Sequence, residues 1–112
     1  MTHKGPGFSV LYRWKLRLGM EASFVEAWSR VSALLLDQRG SLGSRLHKGA
    51  DGIWYSYAQW PDAETRSIAF ASAAVDPEAL TAMRAAIEET YPEVVLESVA
   101  DYMVPVGGQA GE

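Results

Sequence analysis

The segment from Ile53 to Trp60 constrains the fold of this chain more than any other. It reads Ile-Trp-Tyr-Ser-Tyr-Ala-Gln-Trp and is followed by Pro61. Aromatic and branched residues favour a β-strand, and proline disfavours its continuation. Because side chains alternate between the two faces of a strand, one face carries Trp54, Ser56, Ala58 and Trp60. Two large rings thus flank two small side chains, which predicts a gap for a small flat ligand.

Periodicity and capping signals predict the other elements. A second alternating segment has apolar or aromatic residues at its even positions, from Phe8 to Leu18. The first helix is predicted by apolar residues at i, i+4, i+7 and i+11, which are Phe24, Trp28, Val31 and Leu35. Asp62 and the Asp76-Pro77 pair are typical helix starts. We therefore predict strands over 8–18, 42–48, 53–60 and 93–104, and helices over 20–39, 62–72 and 76–90.

This element order is typical of a ferredoxin-like α+β fold, βαββαβ, with a four-stranded antiparallel sheet in the order 4-1-3-2. Charges agree with the pairing of the first and last strands. The face of the first strand that holds its odd-numbered residues carries Arg13, Lys15 and Arg17. The corresponding face of the last strand carries Glu93, Glu97 and Asp101. The same face holds an apolar patch that a twofold homodimer would bury: Leu11, Val95, Val99 and Met103.

Composition excludes several classes of protein. A net charge of −4 and a pI near 5.1 argue against nucleic-acid binding. The chain has no cysteine, so disulfides and thiolate sites are excluded, and no apolar run is long enough to span a membrane. No segment resembles a signal peptide, which predicts a cytoplasmic protein. We expect one domain over 8–104, with loose termini at 1–7 and 105–112.

Four segments together resemble the antibiotic biosynthesis monooxygenase family of dimeric α+β barrels. They are Leu11-Tyr12-Arg13-Trp14, the Gly19, Phe24 and Trp28 spacing, the segment from Gly40 to His47, and Tyr57-Ala58-Gln59-Trp60-Pro61. The resemblance implies a homodimer and, in the members that are enzymes, an oxygenase. Trp60 matches the tryptophan that ends the family's third strand.

Other positions depart from the enzymes of that family. Its haem-degrading members use an asparagine where this chain has Tyr12 and a histidine where it has Phe70. Its quinone-forming members use an asparagine where this chain has Ser56. The resemblance therefore does not imply haem degradation, and we expect a protein that needs no cofactor. One histidine outside the tail, no cysteine and dispersed carboxylates predict no metal site.

Three residues are candidates for catalysis: Tyr12, Trp60 and His47. The candidates for binding a small aromatic molecule are Trp14, Trp28, Trp54, Ser56 and Ala58. Each also has an ordinary structural interpretation, since the tryptophans could be core residues, Tyr12 a structural hydroxyl, and His47 a solvated or dimer-contact residue. Two functions remain open. One is a cofactor-independent monooxygenase acting on a phenol, quinol or polyketide-like molecule, and the other is a non-catalytic dimer that binds a small molecule.

Overall fold

A computed structural model of the chain describes residues 7–104. The predicted loose termini lie outside these residues, except for Gly7. No helix within this range is long and apolar enough to cross a bilayer. The elements are β1 (Phe8–Leu16), α1 (Glu21–Gln38), β2 (Gly43–Lys48), β3 (Trp54–Trp60), α2 (Ala63–Ala71), α3 (Pro77–Ala86) and β4 (Ile87–Glu97).

The four strands form one antiparallel sheet in the order β2-β3-β1-β4. This confirms the predicted ferredoxin-like α+β fold and its strand order. The core lies between one face of the sheet and the helices, where Trp14 and Leu16 of β1 pack with Phe24 of α1 and Met83 of α3. The opposite face of the sheet is not covered by any element between residues 7 and 104; we call it the open face.

The helix starts follow from local chemistry that the sequence shows. The carboxylate of Asp62 accepts a hydrogen bond from the Thr65 backbone N–H at 2.8 Å, and that of Asp76 accepts one from Ala79 at 3.0 Å. These bonds satisfy donors that a helix leaves free in its first turn. Gly40, just past α1, has a φ of +82°, a conformation that glycine adopts without strain.

The predicted boundary between the last helix and the last strand was wrong. α3 ends at Ala86 rather than near Thr90, and β4 begins at once with Ile87 and ends at Glu97. Leu16 and Ile87 are paired across the sheet, and the Arg17 backbone N–H donates to the Ala86 carbonyl at 2.8 Å. Pairing with β1 thus overrides the local helical pattern.

The predicted faces of β4 were also wrong, because the strand contains a bulge. Leu11 pairs with Val94 and Arg13 with Tyr91, so Pro92 and Glu93 together stand opposite Tyr12. Such an extra residue reverses the faces of the strand beyond it. Two of the four residues proposed for the open face, Val99 and Met103, lie past the end of β4. A third, Val95, is paired with Val10 on the helix side, and only Leu11 keeps its predicted place.

The bulge also changes the predicted charge pairing of β1 with β4. Glu93 bonds to Arg66 of α2, Glu97 is paired with Phe8, and Asp101 lies beyond the strand. Lys15 instead approaches Glu88 at 3.6 Å, and both side chains are about half exposed. A surface pair of this kind contributes little to stability, so opposite charge supports the strand pairing but does not determine its register.

Candidate functional site

The helix-facing side of β1 and β3 forms the floor of the candidate site. Strand pairing sets Tyr12 beside Ser56 and Val10 beside Ala58, with the side chains of each pair on the same face. Ser56 and Ala58 are buried. The small side chains predicted between the two tryptophans of β3 therefore lie under α1.

A cavity of about 170 Å³ lies between this floor and the helices. Of the residues proposed for ligand binding, Trp14, Trp28, Ser56 and Ala58 line it, together with Tyr12 and Trp60. The remaining wall is mostly apolar and comes largely from the helices, with Val31 and Leu35 from α1, Phe70 from α2 and Met83 from α3. Its polar members are Ser32 of α1 and Ser44 of β2. Trp54 does not line the cavity; its ring packs against Phe24 at 6.4 Å between centroids.

Aromatic rings form two walls of the cavity. Tyr12 and Trp14 stack with centroids 5.9 Å apart and planes within 4° of parallel. Trp60 meets Phe70 edge to face at 5.8 Å. Trp60 is only 1% exposed, and its indole Nε1–H is buried without a hydrogen-bond partner among residues 7–104. A buried donor without a partner is costly to the folded state.

The hydroxyl of Tyr12 is held by a residue that the sequence analysis did not single out. Arg66 of α2 donates from Nε to the Tyr12 oxygen at 3.1 Å and from Nη2 to Glu93 Oε1 at 2.7 Å. Its guanidinium also lies over the Phe70 ring, 5.2 Å from the centroid. The i, i+4 spacing of Arg66 and Phe70 on α2 could have indicated the contact of these two residues with each other, but not the hydrogen bond to Tyr12.

Burial raises the pKa of the Tyr12 phenol above its usual value of 10.0, although the positive charge of Arg66 opposes that shift. Tyr12 is therefore a neutral hydroxyl near pH 7 rather than a base. The second hydroxyl on the floor, that of Ser56, accepts a hydrogen bond from Trp28 Nε1 at 3.0 Å. The residues that line the cavity include no carboxylate and no histidine.

No family model matches the sequence, and no curated protein matches it. Solved structures do match its fold. SnoaB, a cofactor-independent oxygenase from Streptomyces nogalater, is 20% identical and superimposes with a TM-score of 0.70 over 90% of this chain and 99% of its own. A proposed antibiotic biosynthesis monooxygenase from Chloroflexus aurantiacus is 10% identical, with a TM-score of 0.72 over 88% and 99%. One from Caulobacter crescentus is 14% identical, with a TM-score of 0.72 over 85% and 92%.

The chain has an antibiotic biosynthesis monooxygenase-like fold. Identities this low establish the fold alone, so the chemistry has to be argued from the residues of this chain. Within the monooxygenase-like fold, Phe70 occupies the mouth of the cavity with its ring against Trp60.

His47 lies away from the cavity of this monooxygenase-like fold. It is paired with Tyr55, which is paired with Arg13, so all three side chains are on the open face. The structure therefore separates His47 from Tyr12 and Trp60 by the thickness of the sheet. No group of three His, Cys, Asp or Glu side chains within residues 7–104 is arranged to hold a metal ion.

A wider cleft of about 410 Å³ lies outside the cavity, between the three helices. The two spaces share Val31, Leu35, Phe70 and Leu80 in their walls, so the cleft leads toward the cavity. Polar groups lie at its outer end. Arg39 donates to the backbone carbonyls of Ala69 and Ala73 at 2.9 and 2.8 Å, and Asp76 is paired with Arg30 at 2.7 Å.

Proposed function

We propose that this protein is a cofactor-independent monooxygenase acting on a small electron-rich aromatic molecule, a phenol or a quinol. The observation that supports this most is the pocket between the sheet and the helices, which has aromatic walls and a floor of small side chains. Aromatic walls bind planar ligands, and apolar surroundings reduce the contact of a reactive intermediate with water. A fold shared with SnoaB, a cofactor-independent oxygenase, is consistent with this chemistry.

The proposed overall reaction balances without a cofactor. A phenol with a free para position reacts with dioxygen to give a quinone and water. One oxygen atom becomes the new ring carbonyl and the other leaves as water, which takes up the phenolic hydrogen and the para hydrogen. The ring supplies all the electrons, so the protein needs only to bind the substrate, favour its electron-rich form and exclude solvent.

The size of the cavity supports a single ring as the reacting group. An apolar cavity of about 150 Å³ is known to bind benzene, and this one measures about 170 Å³. A substituent on the ring can extend into the outer cleft past Phe70 and Leu80.

In this proposal Trp60 and Trp14 contact the substrate ring, Tyr12 and Ser56 bind its oxygen, and Ala58 leaves room for the ring. Trp28 forms the helix side of the wall and holds Ser56. We propose no contact between the substrate and Trp54 or His47. His47 is exposed on the open face, where it suits a contact between subunits.

We also propose that two copies associate through the open face to form a homodimer. The bulge brings Val94 and Leu96 of β4 to this face, where they join Leu11 of β1 and Tyr57 of β3. Val94 and Leu96 are 39% and 37% exposed. A contiguous apolar sheet face is commonly covered by association, and a twofold axis would place the patch of one subunit against that of the other.

One observation favours the alternative, a dimer that binds a small aromatic molecule without turning it over. No carboxylate or histidine lines the cavity, and the pKa of Tyr12 is raised, so the site offers no strong general base. Under this alternative the ring walls would bind the ligand as they do in the first proposal, but the bound ligand would not react with dioxygen.

The two functions differ in oxygen consumption. We would titrate the protein with substituted phenols and quinols, follow the quenching of tryptophan fluorescence, and measure dioxygen uptake with each ligand that binds. The monooxygenase would be supported by quenching together with dioxygen uptake above that of the ligand alone, provided that the quenching is lost in Trp60→Ala. Quenching without added uptake would support the binding protein, and the absence of quenching by any aromatic ligand would contradict both.

A further inference from the structure

We propose that the outer cleft binds a carboxylate carried on a side chain of the aromatic substrate, which makes the substrate a hydroxyphenyl-alkanoic acid. The proposal rests on the proposed aromatic site and adds a subsite for a different part of the same molecule. The cleft of about 410 Å³ between the three helices provides the space, and Arg84 of α3 and Arg39 of α1 provide the positive charge.

The cleft and the cavity meet where a side chain of the ring would leave the cavity. Phe70 of α2 and Leu80 of α3 line both spaces. Arg84 follows Leu80 by four positions in α3, so the two side chains lie on the same side of the helix, about one turn apart. A short flexible chain that passes Leu80 therefore brings its end toward the guanidinium of Arg84.

Arg84 brings an uncompensated positive charge to the cleft. Its side chain is exposed at the wall of the cleft. The ion pairs found within residues 7–104 are those of Lys15, Arg30 and Arg66, so Arg84 takes part in none of them. A guanidinium presents its N–H donors in a plane, and two of them match the two oxygens of a carboxylate. Arg84 is therefore available to bind an anionic group that enters the cleft.

Arg39 adds a second positive charge at a fixed position. Its Nη1 and Nη2 donate to the backbone carbonyls of Ala69 and Ala73 at 2.9 and 2.8 Å, which holds the guanidinium between the ends of α1 and α2. Both acceptors are uncharged, so these bonds orient Arg39 without neutralising it, and it belongs to none of the ion pairs within residues 7–104. Its charge favours an anion anywhere in the cleft.

The acidic residue of the cleft does not cancel these charges. Asp76 is the one carboxylate among the described residues that line the cleft, and its Oδ2 accepts from Arg30 Nη2 at 2.7 Å. Its Oδ1 accepts from the Ala79 backbone N–H at 3.0 Å. Ser72 also lines the cleft, but its hydroxyl donates to the Ile68 carbonyl at 2.9 Å. The charge that faces the cleft is therefore positive, and the arginines supply the donors for a ligand.

The rest of the cleft suits the hydrocarbon part of such a side chain. Its wall includes Val31, Leu35, Val75 and Leu80. An apolar wall that leads to a guanidinium matches a chain of methylene groups that ends in a carboxylate. The chain has to be attached at the meta position, because the proposed oxygenation requires a free para position on the ring.

Pairs of acids and amides test the proposal. We would measure binding by calorimetry at pH 7 for 3-hydroxyphenyl acids with one to three methylene groups in the chain, each compared with its primary amide, which has nearly the same shape and no charge. We expect at least one acid to bind the wild type about fivefold tighter than its amide, the size expected of a solvent-exposed ion pair. High salt should reduce this preference for the acid. Arg84→Gln should reduce it to within about twofold, and Arg84→Lys should retain part of it.

Two controls separate the role of Arg84 from a general effect of charge or folding. Arg45→Gln makes the same change at an exposed residue of β2 that is paired with Tyr57 on the open face, and it should keep the preference for the acid. Each amide should bind Arg84→Gln and the wild type with affinities within about twofold of each other, because the aromatic site is unchanged.

The outcomes are distinguishable. A preference for the acid that is lost in Arg84→Gln and kept in Arg45→Gln supports the carboxylate subsite. If every acid binds no tighter than its amide, or if the preference persists in Arg84→Gln or is lost equally in Arg45→Gln, the subsite is overturned and the aromatic site stands. If the acids, the amides and 3-methylphenol all fail to bind the wild type, the aromatic site is absent and the proposed function fails with the subsite.

Discussion

Arg66 reaches across the helix layer to donate a hydrogen bond to the hydroxyl of Tyr12, 54 positions earlier in the chain, and Glu93 holds the other side of the same guanidinium. Three elements, α2, β1 and β4, thus meet at one phenol. The geometry explains why a tyrosine is stable beside an otherwise apolar cavity, because its oxygen has a charged partner that burial alone would not provide.

The raised pKa of Tyr12 predicts how stability depends on pH in alkali. In the unfolded chain a tyrosine loses its proton near pH 10, whereas burial keeps Tyr12 protonated to a higher pH in the folded protein. This contribution to stability is fully present below pH 10 and is lost as pH rises through the folded pKa. Urea denaturation between pH 8 and 11 should show this loss. The free energy of unfolding of Tyr12→Phe should fall less over this pH range. An equal fall in that variant would contradict the assignment of the pH dependence to Tyr12.

Ala58→Phe should fill the cavity. Ala58 is buried on the floor, in a cluster with Trp60 and Ala69, and it lines the space that a ligand ring would occupy. We expect aromatic quenching to disappear while the free energy of unfolding falls by no more than about 1–3 kcal/mol, the usual cost of overpacking. Ala33→Phe, on the exposed side of α1, is the matched control and should keep the quenching. Retained binding in Ala58→Phe would place the ligand elsewhere.

Adjacent residues of β4 provide a test of the proposed dimer. Val94 is on the open face and Val95 on the helix side, and they are 39% and 55% exposed. Val94→Lys should shift sedimentation at micromolar concentration from dimer toward the 12.3 kDa monomer, because it would bury an unpaired charge in the interface. Val95→Lys makes the same change on the other side and should leave the dimer intact. Dissociation by Val95→Lys alone would contradict an interface on the open face.

The protein should not bind or degrade haem. Phe70, which stands where the resemblance calls for an iron ligand, has its ring against Trp60, and the residues that line the cavity include no histidine. Addition of haemin should therefore give no protein-dependent shift of the Soret band. A stable shifted band, followed by its loss on addition of a reductant, would show that this prediction is wrong.

The sequence predicted the floor of the site because short-range rules determine it. Strand alternation placed Ser56 and Ala58 between Trp54 and Trp60, and helical spacing turned Trp28 toward them. Trp54 is the exception, since its ring contacts Phe24 and lies below Lys48 rather than reaching the cavity. Alternation gives the face on which a side chain lies, but the position along the strand decides which neighbours it meets.

The partners of Tyr12 could not be predicted in the same way. The contact with Arg66 depends on the packing of α2 across the sheet, and the contact with Glu93 depends on a bulge that changes the parity of β4. Pro92 has no N–H to donate to a neighbouring strand, which is a reason for irregular pairing there. The sequence does not indicate the register in which β4 pairs with β1 after the irregularity. Long-range contacts that follow from such an irregularity can be identified only from the structure.

The same irregularity affects how copies of this chain can meet. β4 is an outer strand of the sheet, and an outer strand with a regular row of free N–H and C=O groups can add further strands without limit. Pro92 has no N–H to donate, the two register shifts interrupt the regular spacing of the strand, and Glu88 and Glu89 add carboxylates along it. The outer edge of β4 is therefore a poor template for fibril growth, which lets the protein carry an exposed apolar sheet face with less risk of aggregating through its edge.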